Sequence, residues 1–349
     1  MQKITRRRAL QSMLTAAGGG AALVPASGSA LAPAARATPT VAADTPSVAD
    51  PLEVIDVWPG PPPGDVPAGL AEEIVERPND LGLRDRIIRH VTRPRITVFR
   101  PTGRPRGALL LVPGGGYRHV VVDKEGFETA RWLAARGLAV FVLFYRLPAS
   151  GWAGGPDAPL QDAQRAMRVI RQRTATWNLD PAQLGVIGFS AGGHVAARLA
   201  YGSAAATYDA TYDAIDDADR TSARPDVAAL IYPVVAMDGP VAHAGSREQL
   251  LGPSPDPALA HAFSADTIVR PGAPPTFILH AADDTSVPVE NALRMAQALR
   301  SAEVPVDVHV FAAGGHGFGL RYVADKPVAA WPDLLLRWID WRRQPKFQP

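Results

Sequence analysis

The chain of 349 residues has no cysteine, which excludes disulfides, thiolate metal ligands and a cysteine nucleophile. With 47% hydrophobic and 20% charged residues, it can fill one sizeable core or two small ones. Its pI of about 9.0 comes from the N-terminus: the first 37 residues hold Lys3, Arg6, Arg7, Arg8, Arg36 and no acid, and without them 31 basic residues face 34 acidic ones. A nearly neutral body offers no electrostatic basis for binding nucleic acid or an anionic membrane.

Thr5-Arg6-Arg7-Arg8-Ala9-Leu10 resembles the twin-arginine export motif. A weakly apolar stretch, Leu10 to Val24, follows it. Ala30-Leu31-Ala32 and Ala35-Arg36-Ala37 both offer an Ala-x-Ala cleavage site. Residues 1–37 therefore read as a signal peptide, with the periplasm or the exterior as destination. The apolar run is too short and too rich in Gly and Ala for a stable membrane span, which needs about 20 apolar residues. Residues 38–70 are rich in Pro, Ala, Gly and Asp and read as a linker or an N-terminal arm, with Val54 to Pro63 placed to pack on the body.

The body, residues 71–345, alternates apolar runs with amphipathic stretches. Ala108 to Val112 reads as a fully buried parallel strand before a glycine cluster. Glu125 to Arg136 has helical spacing and stops at Gly137. Leu138 to Tyr145 is a second strand, Pro159 to Trp177 a long helix, and Leu184 to Gly188 a third strand that runs into a helix from Gly193 to Tyr201. Strands follow at Val227–Tyr232, Thr276–His280 and Val306–Phe311, with helices at Val289–Arg300 and Trp331–Arg343. This alternation predicts a mostly parallel sheet with helices on both faces. Tyr208 to Asp219 is acidic, but it lacks the glycine and terminal Glu of a calcium loop and reads as solvated. Asp238 to Ile268 reads as irregular and too short for a bulky lid domain.

Gly188-Phe189-Ser190-Ala191-Gly192 is a G-x-S-x-G motif between a strand and a helix, where a serine hydroxyl is exposed on a sharp turn. That hydroxyl needs a base, and at neutral pH the base is a histidine. Among eight histidines, His316 lies between glycines just after the last predicted strand. His194 sits one helical turn past Ser190 and reads as a core residue, and His280 as a packed one. The acid belongs after the strand ending at His280, where Asp283 and Asp284 both stand. Pro113-Gly114-Gly115-Gly116-Tyr117 follows the first strong strand. Its Gly115 and Gly116 amides, with that of Ala191, are candidate donors to an oxyanion. Tyr117, His119 and Trp152 are candidate substrate contacts. The glycines fit neither a dinucleotide fingerprint nor a P-loop.

Taken together, Pro113 to Tyr117, Lys124-Glu125-Gly126, Tyr145-Arg146-Leu147, Leu160-Gln161-Asp162-Ala163, Gly188 to His194, Pro274-Pro275, Asp283-Asp284 and Gly315 to Gly319 form one series. With Asp56-Val57-Trp58-Pro59-Gly60, the series resembles bacterial α/β-hydrolases of the acetylxylan-esterase-like, carbohydrate acetylesterase kind over residues 53 to 343. In such acid loops the acid precedes two variable residues and Val-Pro, so the resemblance selects Asp284 over Asp283. It implies an α/β-hydrolase fold without a large lid and a Ser190–Asp284–His316 triad. It also implies hydrolysis of acetyl esters on a polysaccharide or small-molecule substrate, with no metal or organic cofactor. A general short-chain carboxylesterase, a peptidase of the same fold and an inactive binding module are the competing expectations.

Overall fold

A computed structural model describes residues 53–202 and 216–343, which belong to one structural unit. The expected signal peptide, the linker up to residue 52 and residues 208–215 of the acidic stretch lie outside the described residues. In chain order the elements are strands β1 (Glu53–Asp56), β2 (Glu73–Glu76), β3 (Arg86–Arg89), β4 (Arg95–Phe99), β5 (Gly107–Val112) and β6 (Val120–Val121), helix α1 (Glu128–Ala134), then β7 (Leu138–Phe144) and α2 (Ala158–Gln172). There follow β8 (Leu184–Phe189), α3 (Ser190–Gly202), β9 (Ala228–Ile231), α4 (Ala244–Leu251), α5 (Pro257–Phe263), β10 (Thr276–Ala281), α6 (Glu290–Ser301), β11 (Val306–Phe311) and α7 (Trp331–Arg342).

The eight-stranded main sheet has the order β1-β4-β7-β5-β8-β9-β10-β11. From β7 to β11 every pairing is parallel, and β1 and β4 add an antiparallel edge. Every residue of β5, β7 and β8 is buried, as strands covered on both faces require. The chain steps from β5 outward to β7 and then back across to β8, so the order reverses beside β5. A crevice forms at the C-terminal strand ends at such a reversal, and ligands of open α/β sheets bind there. A second, antiparallel sheet, β2-β3-β6, stands apart from the first and carries the loop after β5.

Two expectations need correction. Asp238 to Ile268 is not irregular. Asp256 caps α5 by accepting the Ala258 amide, with Pro257 at the first helical position, and His243 caps α4. An Asp-Pro start is a legible helix signal. The acidic stretch is not wholly solvated either, since Asp216 and Asp219 both bind the guanidinium of buried Arg165.

The stretch read as a linker or arm is, from Glu53 on, part of the body. β1 pairs with β4 from Glu53 opposite Val98 to Asp56 opposite Arg95. Trp58 is buried, and its indole N–H donates to Asp162 Oδ1 at 2.8 Å. Asp162 also accepts from Arg146, and both side chains are wholly buried. Arg146 spends its remaining N–H groups on the Pro63 carbonyl at 2.7 Å and Gln161 Oε1 at 2.9 Å. Arg165 Nε donates to the Val57 carbonyl at 2.8 Å, and the Trp177 indole to Glu53 at 3.1 Å. A buried pair whose polar atoms are all engaged holds its geometry, whereas losing one partner strands a charge in a dry interior.

Asp162→Ala is therefore expected to cost about 3–5 kcal/mol of stability by urea unfolding. Arg106→Ala breaks the half-exposed Arg106–Asp340 pair and should change stability by about 1 kcal/mol or less. Equal effects of the two would show that the Arg146–Asp162 pair does not hold the arm.

Candidate active site

β8 ends at Phe189 and α3 starts at Ser190, so the serine stands on the turn itself. Its φ is +51°, a left-handed conformation that is strained for any residue with a side chain. The neighbouring glycines make the turn possible. A Cβ on Gly188 would lie 2.3 Å from the Gly192 carbonyl, and one on Gly192 would lie 2.2 Å from that of Val112. The start of α3 thus presses against the end of β5, and Ser190 is lifted into the crevice at the sheet's reversal.

Three of the residues singled out by sequence meet there. Ser190 Oγ lies 2.8 Å from His316 Nε2, and His316 Nδ1 lies 2.6 Å from Asp284 Oδ2. The polarity is fixed from the far end: Asp284 accepts, so Nδ1 carries the proton and Nε2 is free to accept the serine O–H. Asp284 Oδ1 accepts the amides of Ser286 and Val287, both at 2.9 Å. His280, buried beneath, directs Nε2–H to both Asp284 Oδ2 at 3.2 Å and the Val287 carbonyl at 2.9 Å. Burial works against the Asp284 charge, but the bonds from His280 and His316 outweigh it and hold the carboxyl well below the usual carboxylate range. Asp283 has a different task. It is exposed, and its Oδ1 accepts the amides of Gly314 at 2.9 Å and Gly315 at 2.7 Å, pinning the loop that carries His316.

Gly115 and Gly116 line the crevice beside Ser190. Gly115 has φ +129°, and a Cβ there would lie 2.0 Å from the His119 carbonyl, so this tight loop admits only glycine. As the second residue of α3, Ala191 has an amide with no intrahelical acceptor. The loop is anchored by Glu125, a buried carboxylate that the sequence reading did not single out. Glu125 Oε2 accepts the Gly114 amide at 2.8 Å, and Oε1 accepts the Tyr232 hydroxyl at 3.1 Å. Tyr232 in turn accepts from the Gly319 amide at 3.2 Å and sets its ring against His316 at 5.1 Å. One buried pair thus braces both the glycine loop and the histidine loop. Lys124-Glu125-Gly126 was visible in the sequence; no local signal marked Tyr232.

The substrate-contact expectations divide. His119 lines the crevice, which has a volume of about 400 Å³. Burial, reinforced by Arg77, Arg89 and Arg118, pushes its pKa down to about 4, so it is neutral at pH 7. Tyr117 is not at the surface of the crevice. It is buried, and its hydroxyl donates to His194 Nδ1 at 2.6 Å while His194 Nε2–H donates to the Phe263 carbonyl at 2.7 Å. Trp152 is also buried, packed 5.3 Å from the Arg146 guanidinium. Large aromatics after a glycine loop fit a core as well as a crevice, and only packing separates the two. His243, which the sequence did not mark, does line the crevice. Its Nδ1 accepts the Ser246 amide at 3.1 Å, which leaves the ring proton on Nε2. A larger cavity of about 730 Å³ opens at the opposite, N-terminal strand ends and contains none of these groups.

A serine–histidine–aspartate relay at the C-terminal ends of a mostly parallel sheet defines an α/β-hydrolase of the serine type. The BD-FAE family model matches residues 98–299, more than half of the sequence, and the chain belongs to that family. A dienelactone hydrolase family model matches residues 261–344. An acetylxylan esterase of Xylanibacter ruminicola is 34% identical over 223 residues, 63% of this chain and 42% of that protein. Endo-1,4-beta-xylanase B of Butyrivibrio fibrisolvens is 36% identical over 226 residues, 65% of this chain and 34% of that protein. The chain therefore matches less than half the length of either. The solved structure of an acetyl ester-xyloside bifunctional hydrolase from Caldicellulosiruptor lactoaceticus superposes with a TM-score of 0.67 at 34% identity, covering 85% of this chain and 97% of that one. The carboxylesterase Cest-2923 of Lactobacillus plantarum gives a TM-score of 0.58 at 25% identity, over 77% of this chain and 98% of that one.

His194 makes the Tyr117 cluster sensitive to acid. Burial, then Arg198, pushes its pKa down to about 3 against the one bond to Phe263 that favours the proton. The unfolded chain, with an ordinary histidine near 6.5, binds the proton first. Its contribution is therefore intact above about pH 6.5 and is lost toward pH 3, at about 1.4 kcal/mol per pH unit. Urea midpoints measured from pH 7 to pH 4 should fall more gently in His194→Gln, which keeps a donor and an acceptor, than in the parent. Parallel curves would show that His194 does not titrate on unfolding.

Proposed function

We propose that the chain is a serine esterase that removes acetyl groups from carbohydrate esters through an acyl-enzyme. The observation that carries the reading is the Ser190–His316–Asp284 relay, opening on a crevice bordered by Gly115 and Gly116. In the forward step Ser190 Oγ attacks the ester carbonyl and its proton passes to His316 Nε2. The Gly115, Gly116 and Ala191 amides stabilise the oxyanion. Asp284 steadies the imidazolium, which then protonates the departing sugar oxygen. Water deacylates the serine by the same route in reverse, with His316 again as base.

The reading of a short acyl group rests on what lines the site. Among the described residues bordering the crevice, Val121 is the single apolar side chain. Leu250 of α4 and Phe263 of α5 are buried in the body and do not face the crevice. Without apolar lining an added methylene gains little of the about 0.8 kcal/mol it would gain in a greasy trough. The polar wall suits a sugar instead, in keeping with the acetylxylan esterase and acetyl ester-xyloside hydrolase among the similar proteins. The N-terminal residues 1–37 complete the proposal as a signal for export to the periplasm or beyond, where a polysaccharide is met.

Activity on p-nitrophenyl esters from acetate to palmitate, beside acetate release from acetylated xylan and xyloglucan oligosaccharides, tests the substrate. A steep fall beyond butyrate with release from at least one oligosaccharide is expected. A maximum at octanoate or longer, with no acetate from any sugar, would refute the carbohydrate reading.

The roles of the triad have their own test. Ser190→Ala should lower kcat by about 10⁴–10⁶. Asp284→Asn should cost about 10⁴, and Asp283→Asn, which only loosens the histidine loop, far less. A larger loss at Asp283 would reverse the two assignments.

A further inference from the structure

The crevice carries more positive charge than the relay requires. Arg118, on the glycine loop, is exposed, and its guanidinium has no ion-pair partner among the described residues. It lies close enough to lower the pKa values of both His119 and His243. Lys124 lines the same crevice beside the histidine loop. A Cβ on Gly317, the residue after His316, would lie 3.6 Å from its Nζ. The ammonium rests 5.7 Å from the Tyr322 ring and also lacks an ion pair among the described residues. Arg77 lines the same crevice but is neutralised by Asp85 at 2.9 Å.

The negative groups nearby are already occupied. Glu125 is buried and bonded to the Gly114 amide and the Tyr232 hydroxyl. Asp284 is buried beneath His316. The neutral imidazoles of His119 and His243 add hydrogen-bonding groups without charge. A substrate entering this site therefore meets two cations without ion pairs, Arg118 near His119 and His243 and Lys124 near Gly317, and no accessible carboxylate among the described lining residues. A neutral acetylated sugar can accept hydrogen bonds from these groups but gains no charge pairing. A substrate bearing a carboxylate gains from both cations.

We propose that the crevice prefers acetyl esters on acidic sugars, in which a uronic-acid carboxylate close to the acetylated unit is held by Arg118 and Lys124. This rests on the carbohydrate-esterase reading above and narrows it. The acetyl carbonyl is held by the glycine loop, so the carboxylate belongs to the sugar side of the ester.

The test uses the full chain and two matched substrates. One is a set of acetylated xylo-oligosaccharides bearing glucuronic acid. The other is the same set with the uronate carboxyl reduced to the alcohol. At low ionic strength the acidic set should have the higher kcat/KM by about five- to tenfold, the scale of two partly exposed charge pairs. Salt at about 0.5 M, where charges are screened within a few ångströms, should shrink the ratio to below about two. The double variant Arg118→Gln, Lys124→Gln should bring the ratio near unity at low salt. Equal rates on the two sets, or an unchanged ratio in the double variant, would overturn the proposal and leave the esterase reading standing. Cleavage of p-nitrophenyl acetate with no acetate from either set would remove both. A preference for p-nitrophenyl hemisuccinate over the butyrate, with none between the sugars, would put the carboxylate on the acyl side and overturn the assignment made here.

Discussion

A serine forced to φ +51° carries backbone strain of about 1–3 kcal/mol, and Ser190 keeps it because the structure around it leaves no alternative. Gly188 and Gly192 admit each other's backbone and the end of β5 at distances that a Cβ would forbid. The contact fixes three things together: the height of Oγ above the sheet, the position of the Ala191 amide at the head of α3, and the distance from β8 to the glycine loop after β5. Relaxing the turn would move all three. The relay to His316 and the approach to Gly115 and Gly116 are therefore consequences of one close backbone contact.

Around that turn the titratable groups are sorted by what they touch. Asp284 keeps its charge because two histidines and two amides face it. Tyr232 keeps its proton, because burial and the neighbouring Glu125 push the phenol well above its ordinary value. His119 and His194 stay neutral because burial and nearby guanidinium groups disfavour a second positive charge. The result is a site with two buried, hydrogen-bonded carboxylates, Asp284 under His316 and Glu125 under the glycine loop, beside neutral imidazoles and three cationic side chains, Arg77, Arg118 and Lys124. Preorganised charge of this kind costs no rearrangement during reaction.

What could be read in advance follows from how local each signal is. The buried parallel strands and the turn at Ser190 were legible, since apolar runs and a G-x-S-x-G motif are contiguous in sequence. Between Asp283 and Asp284 only the resemblance decided, through the place of Asp284 two residues before Val-Pro; in the structure the two differ in which way they point, one accepting loop amides and the other the imidazole. Strands β1 to β4 escaped notice because each is four or five residues long and flanked by charge. Tyr117 and Trp152 were placed at the crevice, though one is bound to His194 and the other packs on Arg146. Tyr232 and Glu125, 107 residues apart, meet only through the sheet. Pairings of that range leave no trace in a short window of sequence.

The N-terminal strand also bears on the order in which the chain is assembled. Trp58 meets Asp162 across 104 residues, and Glu53 meets Trp177 across 124. During synthesis β1 is the first of the described elements to emerge, yet the groups that hold it emerge about a hundred residues later. Contacts of such long range cost more loop-closure entropy than local ones, and those of β1 and Trp58 cannot close before α2 and Trp177 have been made. Until they close, Arg146 and Asp162 lack the Trp58 indole and the Pro63 carbonyl. The first described strand to be made thus waits for more than a hundred further residues before its side-chain contacts can close.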